Sequence, residues 1–155
     1  MIFAIPQFPT LQPIPSLGNQ FLRRKPIIPI IAVGPARQLV GDVLVDTGAD
    51  DIVLPLDWAK RIGIDVNKIQ SRAAGTVAGL VRTPILYSTV ILRLADGKQV
   101  CRWRAIVGFA QLAIPYGLFG IANGIEYFET TFNFAQRRLE MSPQPHLPLT
   151  SDPTP

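Results

Sequence analysis

The stretch VLVDTGADDIVLP, residues 43–55, carries three apolar residues straight into a carboxylate, Asp46, and follows it at once with Thr47 and Gly48. Two more carboxylates, Asp50 and Asp51, precede a second apolar run at 52–54. Taking an ionised carboxylate out of water is costly unless it is paired or hydrogen-bonded. A strand that reads as buried and ends in Asp is therefore either an acidic surface turn or a site.

Size and composition narrow the choice. At 155 residues the chain is long enough for one well-packed domain and too short for two. It is 48% hydrophobic and 17% charged, which marks a folded and slightly apolar protein. The apolar excess also fits a chain that buries surface against a second copy. The net charge is +4, but the basic residues fall in short groups, RRK (23–25), CRWR (101–104) and RR (137–138). Arg102 and Arg104 alternate with Trp103 as one face of a strand does, so a solvated face explains them better than a nucleic-acid site.

The single cysteine, Cys101, excludes an intramolecular disulfide, and the single histidine, His146, sits in a Pro-rich tail. Within one chain that leaves neither a His-based metal site nor a Ser–His or Cys–His pair. Carboxylates and water remain for any chemistry, with no metal and no cofactor expected. No run reaches the roughly 18 apolar residues of a membrane helix, and MIFAIPQFPT lacks the basic start of a signal peptide. A cytoplasmic protein without a membrane partner is expected.

Proline marks the boundaries: six of the fifteen fall in residues 1–30 and five in 143–155. The reading is a Pro-rich arm or leader at 1–20, a folded body at 21–141, and an extended tail at 142–155. Within the body the periodicity is that of strands. PIIPIIAV (26–33) and RQLVGDVLVDTG (37–48) flank the turn signal GPA and form a hairpin. PLDWAKRIGI (55–64), with Pro first and Gly near its end, is a short helix. RAAGTVAGLV (72–81) is a glycine-rich hairpin, and 83–108 forms two long strands around Asp96-Gly97. A buried strand and a short helix at 116–128 and a small hairpin at 130–141 complete an all-β domain with one or two short helices.

A strand, then Asp-Thr-Gly, a small residue and a second apolar strand resembles the active-site signature of the aspartic proteases. DTGADD (46–51) is most similar to the retropepsin-like, or retroviral-type, branch in its single-domain bacterial form. The glycine-rich segment AAGTVAG (73–79) lies where that family has its flap. LFG (118–120) matches the two apolar residues and glycine that close its catalytic loop from below. Order and spacing agree over roughly residues 26 to 141. Asp-Thr-Gly alone is a weak signal; the three features in order are a much stronger one.

The resemblance implies a closed, orthogonally packed β-barrel, the acid-protease fold with one lobe per chain, and an aspartic endopeptidase acting on peptide or protein substrates. Asp46 is the catalytic residue it implies, with Thr47, Gly48 and Gly120 supporting the loop. Ala49, Asp50, Asp51, Gly75, Thr76, Val77, Ala78 and Gly79 are the substrate-binding residues it implies, the last five in the flap. Such chemistry takes two carboxylates and this chain has one Asp-Thr-Gly, so the resemblance implies a homodimer with the site on its two-fold axis.

The match has departures. Relatives often carry Arg and then Asp or Asn after the glycine aligned with Gly120; here Ile121-Ala122-Asn123 follows. The partner that such an Arg gives Asp50 must be absent or be supplied elsewhere, with Arg23, Arg24 and Lys25 the candidates. The body also ends in a hairpin and a Pro-rich tail, so the dimer has to be zipped differently from the retroviral enzymes. A non-catalytic dimerisation or peptide-binding module on the same fold is the alternative.

Overall fold

The computed structural model describes residues 1–70, 72–75, 83–111 and 115–150. Its strands in chain order are β1 (Ile2–Ala4), β2 (Gln7–Ile14), β3 (Gln20–Arg24), β4 (Ile27–Val33), β5 (Gln38–Val45), β6 (Val53–Pro55), β7 (Arg72–Gly75), β8 (Thr83–Ala95), β9 (Val100–Ala110), β10 (Gly117–Phe119), β11 (Phe128–Asn133) and β12 (Arg138–Pro143). One α-helix, α1 (Leu56–Arg61), follows β6, and isolated 3₁₀ turns lie at Pro15–Leu17, Val66–Lys68 and Ile125–Tyr127. None of these helices is long and apolar enough to cross a membrane.

Seven strands form one sheet in the order β4-β5-β10-β6-β9-β8-β7, and β4 also pairs with β8. That extra pairing, Ile31 to Arg93 through Val33 to Ile91, closes the sheet on itself. The expected all-β barrel is what the chain forms. Strand alternation explains how it fills. On β9, Cys101, Trp103, Ala105, Val107 and Phe109 point inward, while Arg102 and Arg104 lie on the outer face as expected. Trp103, Phe119 and Phe128 meet edge-on or tilted, with centroids 5.6–6.4 Å apart. Pairs of this kind add about 0.5–1.5 kcal/mol each beyond their buried area. They stiffen the floor under β10.

The termini differ from the expected arm and tail. Met1, Phe3 and Ile5 alternate into the core, and β1 pairs antiparallel with β12. Residues 7–24 alone form a separate two-stranded hairpin, β2 with β3. At the other end Leu147 is buried, Thr150 N–H donates to the Arg102 carbonyl, and the His146 ring nitrogen meets the Glu126 carbonyl at 2.9 Å. Proline bars regular pairing there, but one leucine with a place in the core is enough to lay the segment down.

The Asp96-Gly97 turn forms as expected. Asp96 Oδ1 accepts the N–H groups of Lys98 and Gln99, and Oδ2 accepts that of Ile2, tying β1 to the turn. The backbone donors hold its carboxyl down at about 2.

Candidate functional site

Asp46 follows β5 directly. β5 runs parallel to β10 (Val43 with Gly117, Val45 with Phe119), and β10 runs antiparallel to β6 at Leu118 and Val53. The chain thus leaves β5, turns through residues 46–51, and returns as β6 on the far side of β10. A loop straddling a buried strand in this way is held from beneath.

Hydrogen bonds fix most of its residues. Asp46 N–H donates to the Phe119 carbonyl at 3.1 Å, and Ala49 N–H donates back to the Asp46 carbonyl at 3.2 Å, closing a tight turn. The half-buried Asp46 side chain accepts the Gly48 N–H on Oδ1 at 2.9 Å. A Cβ on Gly48 would stand 3.2 Å from that same oxygen, closer than side chains normally come. Thr47 and Gly48 are exposed at the tip.

Gly120 closes the loop from below. Ile121 N–H donates to the Ala49 carbonyl (2.9 Å) and Ala122 N–H to the Asp50 carbonyl (2.7 Å). A Cβ on Gly120 would meet the Asp51 and Ala49 carbonyl oxygens at 2.2 and 2.6 Å, both backbone atoms that cannot swing away. Only glycine fits. The structure therefore brings Asp46, Thr47, Gly48, Ala49, Asp50, Asp51 and Gly120 into one assembly. Gly75 ends β7 opposite Thr83 on β8. Thr76, Val77, Ala78 and Gly79 lie outside the described residues.

The three basic candidates for Asp50 divide differently. Arg24 Nη1 donates to the Phe134 carbonyl, and Lys25 Nζ donates to the Tyr116 hydroxyl at 2.8 Å while lying over the rings of Phe8 and Tyr116. Arg23 is exposed. In place of an Arg after Gly120, the loop is pinned by Asn123, which adopts a left-handed φ of 59°. Its N–H donates to Glu126 Oε1, its carbonyl accepts the Trp103 indole N–H, and its Oδ1 accepts Ile106 N–H. One asparagine thus fastens the segment below the 46–51 loop to the middle of β9.

Sequence reading missed Tyr87. Its hydroxyl donates to Asp51 Oδ2 at 2.6 Å, joining β8 to the loop. Tyr87 pairs with Gly108 on β9, whose N–H donates to the Ile52 carbonyl, so the bond closes a ring from β8 through β9 to the loop. Burial, the donated bond to Asp51, and the charges of Asp51 and Asp50 push the phenol up to about 12. The sign is that of a raised pKa: the neutral donor, and the stability it brings, are fully present below pH 10 and lost as pH rises through about 12. A hydrogen bond to an ionised acceptor is worth about 1.5–3 kcal/mol. Tyr87→Phe should lose about that much, and urea melts of Tyr87→Phe, Asp51→Ala and the double variant should show a coupling of more than about 1 kcal/mol. Additive losses would mean the two groups do not meet.

Among the described residues no three His, Cys, Asp or Glu side chains gather as a metal site.

No family model matches the sequence, and no curated protein matches it. Solved structures do. A retropepsin-like aspartic protease from Rickettsia conorii aligns over 91% of this chain and 88% of its own, with a TM-score of 0.52 at 17% identity. The fold is retropepsin-like. The EIAV protease, in a complex with an inhibitor, aligns over 62% of this chain and 81% of its own, with a TM-score of 0.36 at 21% identity. At 17% identity, what the chain shares with the Rickettsia protein is the path of the backbone. Within the retropepsin-like fold, the loop at 46–51 and its glycine support at 120 are built by this chain's own hydrogen bonds.

Proposed function

We propose that the protein is a homodimeric aspartic endopeptidase, with one Asp46 from each copy at a shared site. The observation that carries this reading is the loop itself. A half-buried carboxylate is fixed by a backbone N–H at the end of a buried strand, and Gly120 beneath the loop leaves no room for a side chain. An ordinary surface turn needs no such glycine packed beneath it.

Two carboxylates a few ångströms apart cannot both ionise, so the pair holds one proton. The charged Asp46 takes a proton from a water placed between the two. The hydroxide attacks the scissile carbonyl carbon, and the protonated Asp46 donates to the oxygen on which charge develops. One Asp46 then gives its proton to the leaving amine as the C–N bond breaks. The other takes one back from a hydroxyl of the tetrahedral diol, so the pair ends with its single proton. No other group has to move a proton.

Thr47, exposed at the tip, faces the partner loop in this arrangement. Ala49, Asp50 and Asp51 line the bed for an extended peptide, with Gly75, Thr76, Val77, Ala78 and Gly79 as the further substrate-binding residues. Tyr87 fixes the direction of the Asp51 carboxylate within that bed.

The test is the pH dependence of cleavage on a library of extended peptides. Rate should rise and fall as a bell with an acidic optimum, because the doubly protonated and doubly ionised pairs are both inactive. A rate that climbs steadily above neutrality would reject the carboxylate pair.

A further inference from the structure

We infer that the β2–β3 hairpin, residues 7–24, is a strap that clasps a second copy of this chain beside the catalytic loop. The inference rests on the shared-site reading and adds the surface that assembles it. The hairpin is a two-stranded sheet separate from the barrel, and a hairpin of that size is marginally stable in water by itself. Its apolar side chains lack cover: Leu11 is fully exposed, and Leu17, Phe21 and Leu22 are 45–56% exposed. A groove of about 480 Å³ opens between the hairpin and the β11–β12 turn, lined by Leu17, Leu22 and Phe134 among polar neighbours. Leu17 and Leu22 meet Phe134 in that groove, an exposed apolar patch of the kind that marks a contact surface.

The root of the hairpin says which partner. Pro26, two residues past β3, accepts the N–H of Val45 on its carbonyl at 2.9 Å, one residue before Asp46. Lys25 is anchored on Tyr116, which adjoins the first residue of β10. A second copy approaching the open side of the Asp46 loop therefore meets the hairpin. The terminal strand does not offer an alternative zip, because β12 is paired on both edges within its own chain, by β1 and β11. A stable interface takes about 800 Å² from each copy, more than the turn at 46–50 exposes. In a two-fold arrangement each hairpin lies on the other copy, so every apolar contact is made twice.

Sedimentation velocity over a dilution series tests this, on the wild type, on Asp46→Asn, and on the full-length Leu11→Asp/Phe21→Asp variant. Both replaced side chains are more than half exposed, so the variant should melt as the wild type does. Wild type and Asp46→Asn should dimerise alike, and the double variant should associate at least about thirtyfold more weakly, as when central apolar anchors are lost. Equal association of all three would overturn the strap, as would a wild type that stays monomeric at every soluble concentration. Loss of wild type, but not of the variant, with sedimenting phosphatidylglycerol vesicles would assign the face to a lipid surface and overturn it too. Because Asp46→Asn is inactive in the proposed mechanism, its association reads the strap whether or not the wild type cleaves peptides. If the strap fails and the wild type still cleaves, the shared site stands and is assembled by another surface.

Discussion

Asp46→Asn should abolish peptide cleavage, by at least about a thousandfold, while the chain stays folded and associates as the wild type does. The structural half of this expectation follows from one bond. Asp46 Oδ1 accepts the Gly48 N–H at 2.9 Å, and an Asn carbonyl oxygen can accept the same donor in the same place. The backbone bonds that set the turn, Asp46 N–H to Phe119 and Ala49 N–H to Asp46, do not involve the side chain at all. What Asn cannot do is hold or take the proton that the mechanism moves. Replacing two facing carboxylates also removes their mutual repulsion, so association should be unchanged or tighter. Initial rates at matched concentration, with circular dichroism and sedimentation on the same samples, check both halves. A mutant within about tenfold of the wild-type rate would remove Asp46 from the chemistry, since general acid–base roles are worth more than that.

The loop was legible because it breaks a rule. VLVDTG places a carboxylate where the pattern calls for another apolar residue, and such local conflicts collect at functional sites. Local signals also carried the β4–β5 hairpin, the long β8–β9 hairpin around Asp96-Gly97, and the helix. That helix is shorter than the 55–64 expected, ending at Arg61 ahead of Gly63, whose φ of 88° cannot continue it. Hidden features were those fixed by distant partners. MIFAI gives no clean alternation because every residue is apolar, so β1 could not be told from a leader until Met1, Phe3 and Ile5 met the core. QFPTLQPI reads as Pro-rich coil, yet proline is tolerated in a hairpin whose strands each keep a free edge. Closure of the barrel by β4 and β8 joins residues about sixty apart and has no local signature.

Tyr87 shows the same limit at the site. In sequence it is one more aromatic on a long strand. The available hint was general, that a partly buried tyrosine hydroxyl needs a partner. Nothing in the spacing names Asp51, 36 residues away. The two neighbouring carboxylates thus take different roles that the sequence could not separate: Asp51 is directed by a phenol, and Asp50 stays exposed on the loop.

Asp46→Asn subunits mixed in excess with wild type should poison it, because each mixed dimer keeps one carboxylate and loses the coupled pair. With free exchange, a tenfold excess leaves a wild-type subunit about one chance in eleven of a wild-type partner, so activity should fall by about an order of magnitude. Specific activity should likewise fall on dilution below the dimer dissociation constant, in step with the dimer fraction seen by sedimentation. Activity that ignores the excess mutant, or stays constant where only monomers remain, would require a second carboxylate beside Asp46 in its own chain. The candidates there are poor. Asp65 caps a 3₁₀ turn through Asn67 N–H and pairs with Lys68, Asp96 is held by three backbone donors at the β8–β9 turn, and Asp51 is held by Tyr87. Each of these carboxylates is already engaged by partners other than Asp46, whereas a catalytic pair needs a carboxylate that faces it. A second chain is the source that satisfies this requirement.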